Sequence, residues 1–181
     1  ALLDSLDMGK PVGDMLGYDV PQAVLTFRYL AEAIDKIEGA VTNTAPDALH
    51  LILREPLGVV AAIVPWNFPL MMAAWKVAPA LAAGNSVVLK PAEQSPLSAL
   101  LLARLFSEAG GPDGVFNVVN GFGEDVGKAL ALHMDVDMIL ELRKSQLGMM
   151  FCWRRLCVFA NFWLRTMRKA LCVLCLLSMR M

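Results

Sequence analysis

The chain has 181 residues, enough for one domain with its own core, and 57% of them are hydrophobic, with a mean hydropathy of +0.54. Its net charge of −1 conceals a split: residues 1–141 hold all 17 acidic residues and eight basic ones, while residues 142–181 hold eight basic residues and no acid. The two parts therefore differ in kind, and the apolar clusters 158–164 and 170–177 of the second are too short, and too interrupted by Arg165, Arg168 and Lys169, to span a membrane. All four cysteines (Cys152, Cys157, Cys172 and Cys175) fall in this second part. Their absence from residues 1–141 fits a reduced, cytoplasmic compartment. The chain starts Ala1-Leu2-Leu3, shows no signal-peptide pattern, and reads as an internal piece of something longer.

Ala1 to Asp7 reads as the end of a helix, broken by Gly9-Lys10-Pro11. Val20 to Glu38 has the spacing of an amphipathic helix, with Val24, Phe27, Leu30, Ala31, Ile34 and Ile37 on one face. Val41 to Asp47 is polar and reads as a loop; Leu49 to Arg54 reads as a strand. Gly58 to Val64 is a β-branched apolar run suited to a strand buried on both faces. Pro65 ends it, and Pro69 stands where a helix can begin. A helix over Leu70 to Ala83 follows, stopped by Gly84-Asn85. Ser86 to Leu89 is a second strand, left through Lys90-Pro91-Ala92-Glu93. Ser95 is placed to cap a helix over Leu97 to Ala109. A glycine-rich turn, a strand at Val115 to Val119, a helix at Glu124 to His133 and a strand at Asp135 to Ile139 complete the series. Strand and helix alternate throughout, which predicts an α/β fold: a parallel sheet with right-handed crossovers.

Residues 140–181 break the pattern. They have no proline and no turn chemistry, and beyond Glu141 no acid. We expect residues 1–139 to form the domain and 140–181 to be an atypical, basic and apolar tail, for example one read out of frame.

Loops at the carboxyl ends of parallel strands form the ligand crevice of such a sheet. Asn67, Lys90 and Glu93 lie on these loops. Lys90 and Glu93 suit ribose hydroxyls or phosphate, or else form a solvated pair. Asn67 suits a developing oxyanion, or an ordinary side-chain turn bond. Gly121, Gly123 and Gly127 miss the G-x-G-x-x-G dinucleotide fingerprint by one residue, and their spacing alone favours a plain strand-to-helix turn. Trp66 and Phe68 read as core or pocket wall. His50 and His133 have no partner at catalytic spacing. Cys172-x-x-Cys175 has redox or metal spacing, but no second pair or histidine accompanies it, so no metal is expected. The tail's scattered basic residues point to a sticky segment rather than to nucleic acid.

Taken together, VPWNFP (Val64 to Pro69), Trp75 to Asn85, LKPAEQSPL (Leu89 to Leu97), Glu108 to Gly121 and GFGEDVGKAL (Gly121 to Leu130) resemble the aldehyde dehydrogenase superfamily over most of residues 1–139. The start of the chain is similar to bacterial members acting on γ-glutamylamino-aldehydes and related aminoaldehydes. The resemblance implies a partial Rossmann-like cofactor domain. It implies that Val64, Pro65 and Trp66 line the nicotinamide site, and that Asn67 is the oxyanion amide. By the same likeness Lys90, Pro91, Ala92 and Glu93 hold the adenosine ribose, and Gly123 and Glu124 form the pyrophosphate turn. A glutamate at 93 favours NAD over NADP, because it would repel a 2′-phosphate.

The sequence also departs from the family. The phenylalanine-threonine-glycine-serine turn expected after Ile139 is absent. Leu140-Glu141-Leu142-Arg143-Lys144-Ser145 is a degraded likeness of the family's Leu-Glu-Leu-Gly-Gly-Lys-Ser, and by that likeness Glu141 is a remnant of the general base. No nucleophilic cysteine stands in its family context. The family oxidises aldehydes to acids through a cysteine thiolate with NAD as hydride acceptor. This chain is therefore expected to be a catalytically incompetent fragment, with small aldehydes as substrates of the complete enzyme and a homo-oligomer only if complete. The alternatives are a non-catalytic nucleotide-binding or subunit-interaction module, and a membrane-surface protein working through the tail.

Overall fold

A computed structural model of the chain describes residues 1–142 and 149–153. Helix α1 (Leu2–Met8) ends at Gly9, whose φ of +73° suits a residue without Cβ. Helical backbone resumes earlier than the sequence pattern predicts. Segment α2 (Val12–Asp14), a π-helical turn (Met15–Asp19) and α3 (Val20–Ala33) run on without a break, and a 3₁₀ turn (Ile34–Lys36) closes them. The polar stretch read as a loop is a strand instead. β1 (Ala40–Ala45) pairs antiparallel with β2 (Ala48–Ile52), across Pro46-Asp47. The partner strand, not local propensity, makes this polar segment extended.

The main sheet follows. β3 (Val59–Ile63) leads into α4 (Pro69–Ala82), β4 (Ser86–Lys90), α5 (Leu97–Glu108) and β5 (Phe116–Val118). A π-helical turn (Gly123–Gly127) continues into α6 (Lys128–Leu132), and β6 (Met138–Leu142) comes next. β6 lies later than the predicted strand, and it carries Glu141 into the sheet. β7 (Met149–Trp153) pairs antiparallel with it. The strand order is β5-β4-β3-β6-β7, with β5, β4, β3 and β6 mutually parallel.

Alternate residues of the central strands serve two layers, as the strand period of two requires. Val60, Ala62 and Leu140 join a core with Met71, Val77 and Ala99 from α4 and α5. Ala61 and Ile139 face the other way, against Leu130 and Ala131 of α6. The sheet is thus covered on both faces, as a doubly wound α/β domain is. Full burial of a side chain such as Val77 or Leu89 stabilises by roughly 1.5–3 kcal/mol.

Two side chains, the buried Asn85 and the half-buried Asp137, anchor the entry to β3. Asn85 Oδ1 accepts the N–H groups of Leu57 (2.7 Å) and Gly58 (3.1 Å), while its Nδ2 donates to the Ala80 carbonyl (3.1 Å). Asp137 Oδ2 accepts the Val59 N–H (2.9 Å). Gly58, at φ +120°, makes room for that carboxylate, since a Cβ there would lie 2.2 Å from Asp137 Oδ2. The Asn85 bonds also secure the last turn of α4, where Pro79 inside the helix removes one backbone donor.

The predicted cap of α5 is absent. Ser95 Oγ is buried with no hydrogen bond, and the Leu97 N–H donates instead to Asp7 Oδ2 (2.9 Å) of α1. Among the described residues no helix is long and apolar enough to cross a membrane.

Asn85→Ala leaves two backbone N–H groups without their acceptor. It should cost roughly 2–4 kcal/mol of unfolding free energy, read as a lowered urea midpoint with an unchanged slope.

Candidate functional site

From β3 the chain steps sideways through β4 to β5, and β6 then pairs on the opposite side of β3. This reversal of strand order opens a crevice at the carboxyl ends of β3 and β6, the usual ligand position of an open parallel sheet. The loop 64–68 leaves β3 on that edge, 91–96 leaves β4 and 119–122 leaves β5.

The structure ties three of these segments together at Lys90. The Val64 N–H donates to the Lys90 carbonyl (3.1 Å), which joins the first loop to the second. Lys90 is 2% exposed; its Nζ donates to the Pro91 carbonyl (3.1 Å) and stands 3.8 Å from Glu93 Oε2. Its aliphatic stem lies against the helical turn that begins at Gly123, because a Cβ added at Gly127 would meet Lys90 Cδ at 3.8 Å. Pro91 and Ala92 are buried beneath, while Glu93 is exposed and also accepts from Gln94 Nε2 (3.0 Å). A buried ammonium beside a solvent-facing carboxylate offers one donor and one acceptor to a hydroxyl-rich ligand.

The glycine turn is built by exclusion. Gly121 has φ +148°, and a Cβ there would lie 2.3 Å from Val126 Cγ2. The Phe122 carbonyl accepts both the Val126 (3.0 Å) and Gly127 (3.4 Å) N–H groups, which opens the wider π-helical turn. Gly123 and Glu124 begin it and are exposed. Glu124 and Asp125 themselves complement the positive helix end.

Val64 is buried, Pro65 half-buried, and Trp66 and Asn67 are exposed. Among the described residues the exposed Asn67 side chain makes no hydrogen bond, so the turn bond that would have occupied it is not present. Glu141 lies on β6, paired with Ile63, the last residue of β3, and is half-buried. His50 meets Thr42 in the exposed hairpin, and His133 Nδ1 accepts the Asp135 N–H (3.2 Å); neither joins the converging loops. Cys172 and Cys175 lie outside the described residues. Among those described, no group of His, Cys, Asp and Glu is arranged to hold a metal. An apolar cavity of about 470 Å³ between α3 and α4, lined by Leu25, Thr26, Tyr29, Leu30 and Trp75, contains none of the converging residues.

Sequence reasoning overlooked Lys76. It is the lone charge of α4, yet only 2% exposed, and burial holds its ammonium below its usual pKa. A single lysine in an apolar helix was the available signal.

The sequence model of the aldehyde dehydrogenase family matches residues 1–142. The chain is 59% identical over 148 residues to the NADP/NAD-dependent aldehyde dehydrogenase PuuC of Escherichia coli (strain K12), covering 82% of this chain and 30% of that one. Among solved structures, it is similar to the P. syringae indole-3-acetaldehyde dehydrogenase AldA, a mutant in complex with NAD+ and IAA. The TM-score there is 0.75 and the identity 61%, over 76% of this chain and 28% of that one. It is also similar to the gamma-glutamyl-gamma-aminobutyraldehyde dehydrogenase of Burkholderia cenocepacia J2315, with TM-score 0.74, 61% identity and the same coverage. The chain thus spans about three-tenths of the length of the relatives it matches.

Replacing Lys76 by Met removes a buried charge and should raise stability at pH 7 by at least about 1 kcal/mol. Between its lowered folded value and 10.5 the unfolded chain binds more protons than the folded one, so the native chain gains stability as pH rises through that window. The advantage of Lys76→Met should therefore shrink through that window and be gone above 10.5, as thermal melts across pH would record.

Proposed function

The chain belongs to the aldehyde dehydrogenase family, and from that premise we propose that it is the cofactor-binding part of an enzyme that oxidises aldehydes to carboxylic acids. The observation that carries this reading is the convergence on Lys90 of three segments from the carboxyl edge of the sheet. Residues 1–139 form the cofactor domain and 140–181 the atypical tail. NAD+ in complex with a relative 61% identical to the matched region supports a nicotinamide dinucleotide here. A bound nicotinamide would accept hydride.

The chain's own residues then take separate roles. Lys90 and Glu93, with Pro91 and Ala92 as the floor, hold the adenosine ribose. The exposed Glu93 carboxylate disfavours a 2′-phosphate, which selects NAD over NADP. Gly123 and Glu124 flank the pyrophosphate. Val64, Pro65 and Trp66 wall the nicotinamide side. Asn67, with its amide unengaged, donates N–H to an oxyanion developing on the aldehyde. Glu141, at the end of β3's partner strand, is a remnant of the general base. Residues 1–141 contain no cysteine, and none of the four cysteines beyond them stands in the family's nucleophile context, so the chain as given binds cofactor without turning over aldehyde. Aminoaldehydes suit the complete enzyme best, given the likeness to the Burkholderia γ-glutamylated aldehyde dehydrogenase. A cytoplasmic location fits these cysteine-free residues.

The outer face of the hairpin and of α3 favours a second reading, a module that pairs with complete subunits. Val41 (70%), Leu49 (76%) and Tyr29 (68%) are exposed, and apolar surface on this scale marks interaction sites.

NADH should bind saturably, as followed by its fluorescence. Glu93→Gln should narrow the preference over NADPH, and Lys90→Met should weaken NADH binding about tenfold, or about 1.4 kcal/mol. Absence of saturable NADH binding by the native chain would sink the cofactor reading. Aldehyde-dependent NADH formation above background would overturn the claim of incompetence.

A further inference from the structure

The segment preceding α3 touches the Asn67 loop at points that cofactor binding leaves unexplained. Asp4 Oδ2 accepts the Leu70 N–H at 3.4 Å. Lys10 Nζ stands 4.2 Å from the centroid of the Phe68 ring. The same ammonium pairs with Asp19, whose side chain is 1% exposed. Phe68 directly follows Asn67, and Phe68 and Leu70 flank Pro69. The loop's exit is therefore gripped from both sides of a residue with fixed φ.

The grip has a physical order. A carboxylate as buried as Asp19 is costly to leave unpaired, so it pins Lys10, its cationic partner among the described residues. A pinned ammonium over an aromatic face attracts that face and fixes its position. Asp7, one turn along the same face of α1, accepts the Leu97 N–H (2.9 Å), so the segment that carries Lys10 is anchored at its start. Among the described residues, Asn67 is the polar side chain of this loop that makes no hydrogen bond.

We infer that Lys10 is a positioning residue for Asn67: held by Asp19, it fixes the Phe68 ring and so sets the direction of the neighbouring amide. The functional weight of this rests on the oxyanion role given to Asn67. A rival account makes the Lys10–Asp19 pair a stability contact with no influence on the loop.

The two accounts separate by NMR on the full ¹⁵N-labelled chain, with the Asn67 side-chain amide and the Phe68 backbone amide as reporters. In the native chain the Lys10 ε-methylene protons should show the upfield shift of a ring face. Lys10→Met should displace or broaden the Asn67 signal, and Lys10→Arg, which keeps both the ion pair and the ring contact, should restore it. An Asn67 signal unmoved in a folded Lys10→Met overturns the proposal, and so does loss of fold in both variants. NADH titration of the same samples reads the Lys90 crevice separately, so a failure there leaves the outcome at Asn67 intact.

Discussion

A parallel strand buried on both faces leaves no backbone amide free to reach water, and β3 is such a strand. Its ladder bonds to β4 and β6 satisfy its interior. At its entry the carbonyls of Gly58 and Val59 accept from Ser86 and Asp137, while the N–H groups of Leu57, Gly58 and Val59 go to the side chains of Asn85 and Asp137. These two side chains come from the turn after α4 and from the approach to β6. Satisfying the entry of β3 therefore fixes where α4 ends and where β6 begins. Leaving one of these part-buried donors unpaired would cost up to about 1–3 kcal/mol, an appreciable amount for a marginally stable small domain.

With β3 fixed, the crevice follows. The chain can only reach β6 by reversing direction across β3, and the loops after β3, β4 and β5 then leave the sheet on one edge. Lys90 links them because its backbone bonds one loop while its stem packs on the turn of another. Burying a lysine to this degree costs solvation. The Pro91 carbonyl and Glu93 offset part of that cost, and a ligand oxygen would offset more.

The opening nineteen residues act on the sheet from outside it. Asp4 and Asp7, three residues apart on α1, reach the starts of α4 and α5 respectively. Negative charge suits both positions, because a helix start carries unsatisfied N–H groups and the positive end of the dipole. Asp4 is fully buried, and that desolvation pushes its carboxyl above the ordinary range. Between 3.8 and the raised value the folded chain holds the extra proton, so this group favours folding least at neutral pH and more as pH falls. A carboxylate kept at such a cost indicates that its placement matters.

Local pattern determined much of this protein. The apolar run of β3, the prolines bounding 65–69, the Gly84-Asn85 stop and the alternation of strand and helix are written in neighbouring residues, because period and punctuation are local properties. The same local text carried the likeness to aldehyde dehydrogenases and placed Asn67, Lys90 and Glu93 on one edge. Other features depend on partners far away in the chain, and only the tertiary structure decided them. Residues 40–45 are a strand because β2 lies beside them, although their composition is that of a loop. Ser95 has the chemistry of a cap but stands buried and unbonded, because Asp7, ninety residues earlier, reaches the α5 amide first. Lys10 reads as part of a helix-breaking turn, yet it sits on the Phe68 ring, next to Asn67 in the loop.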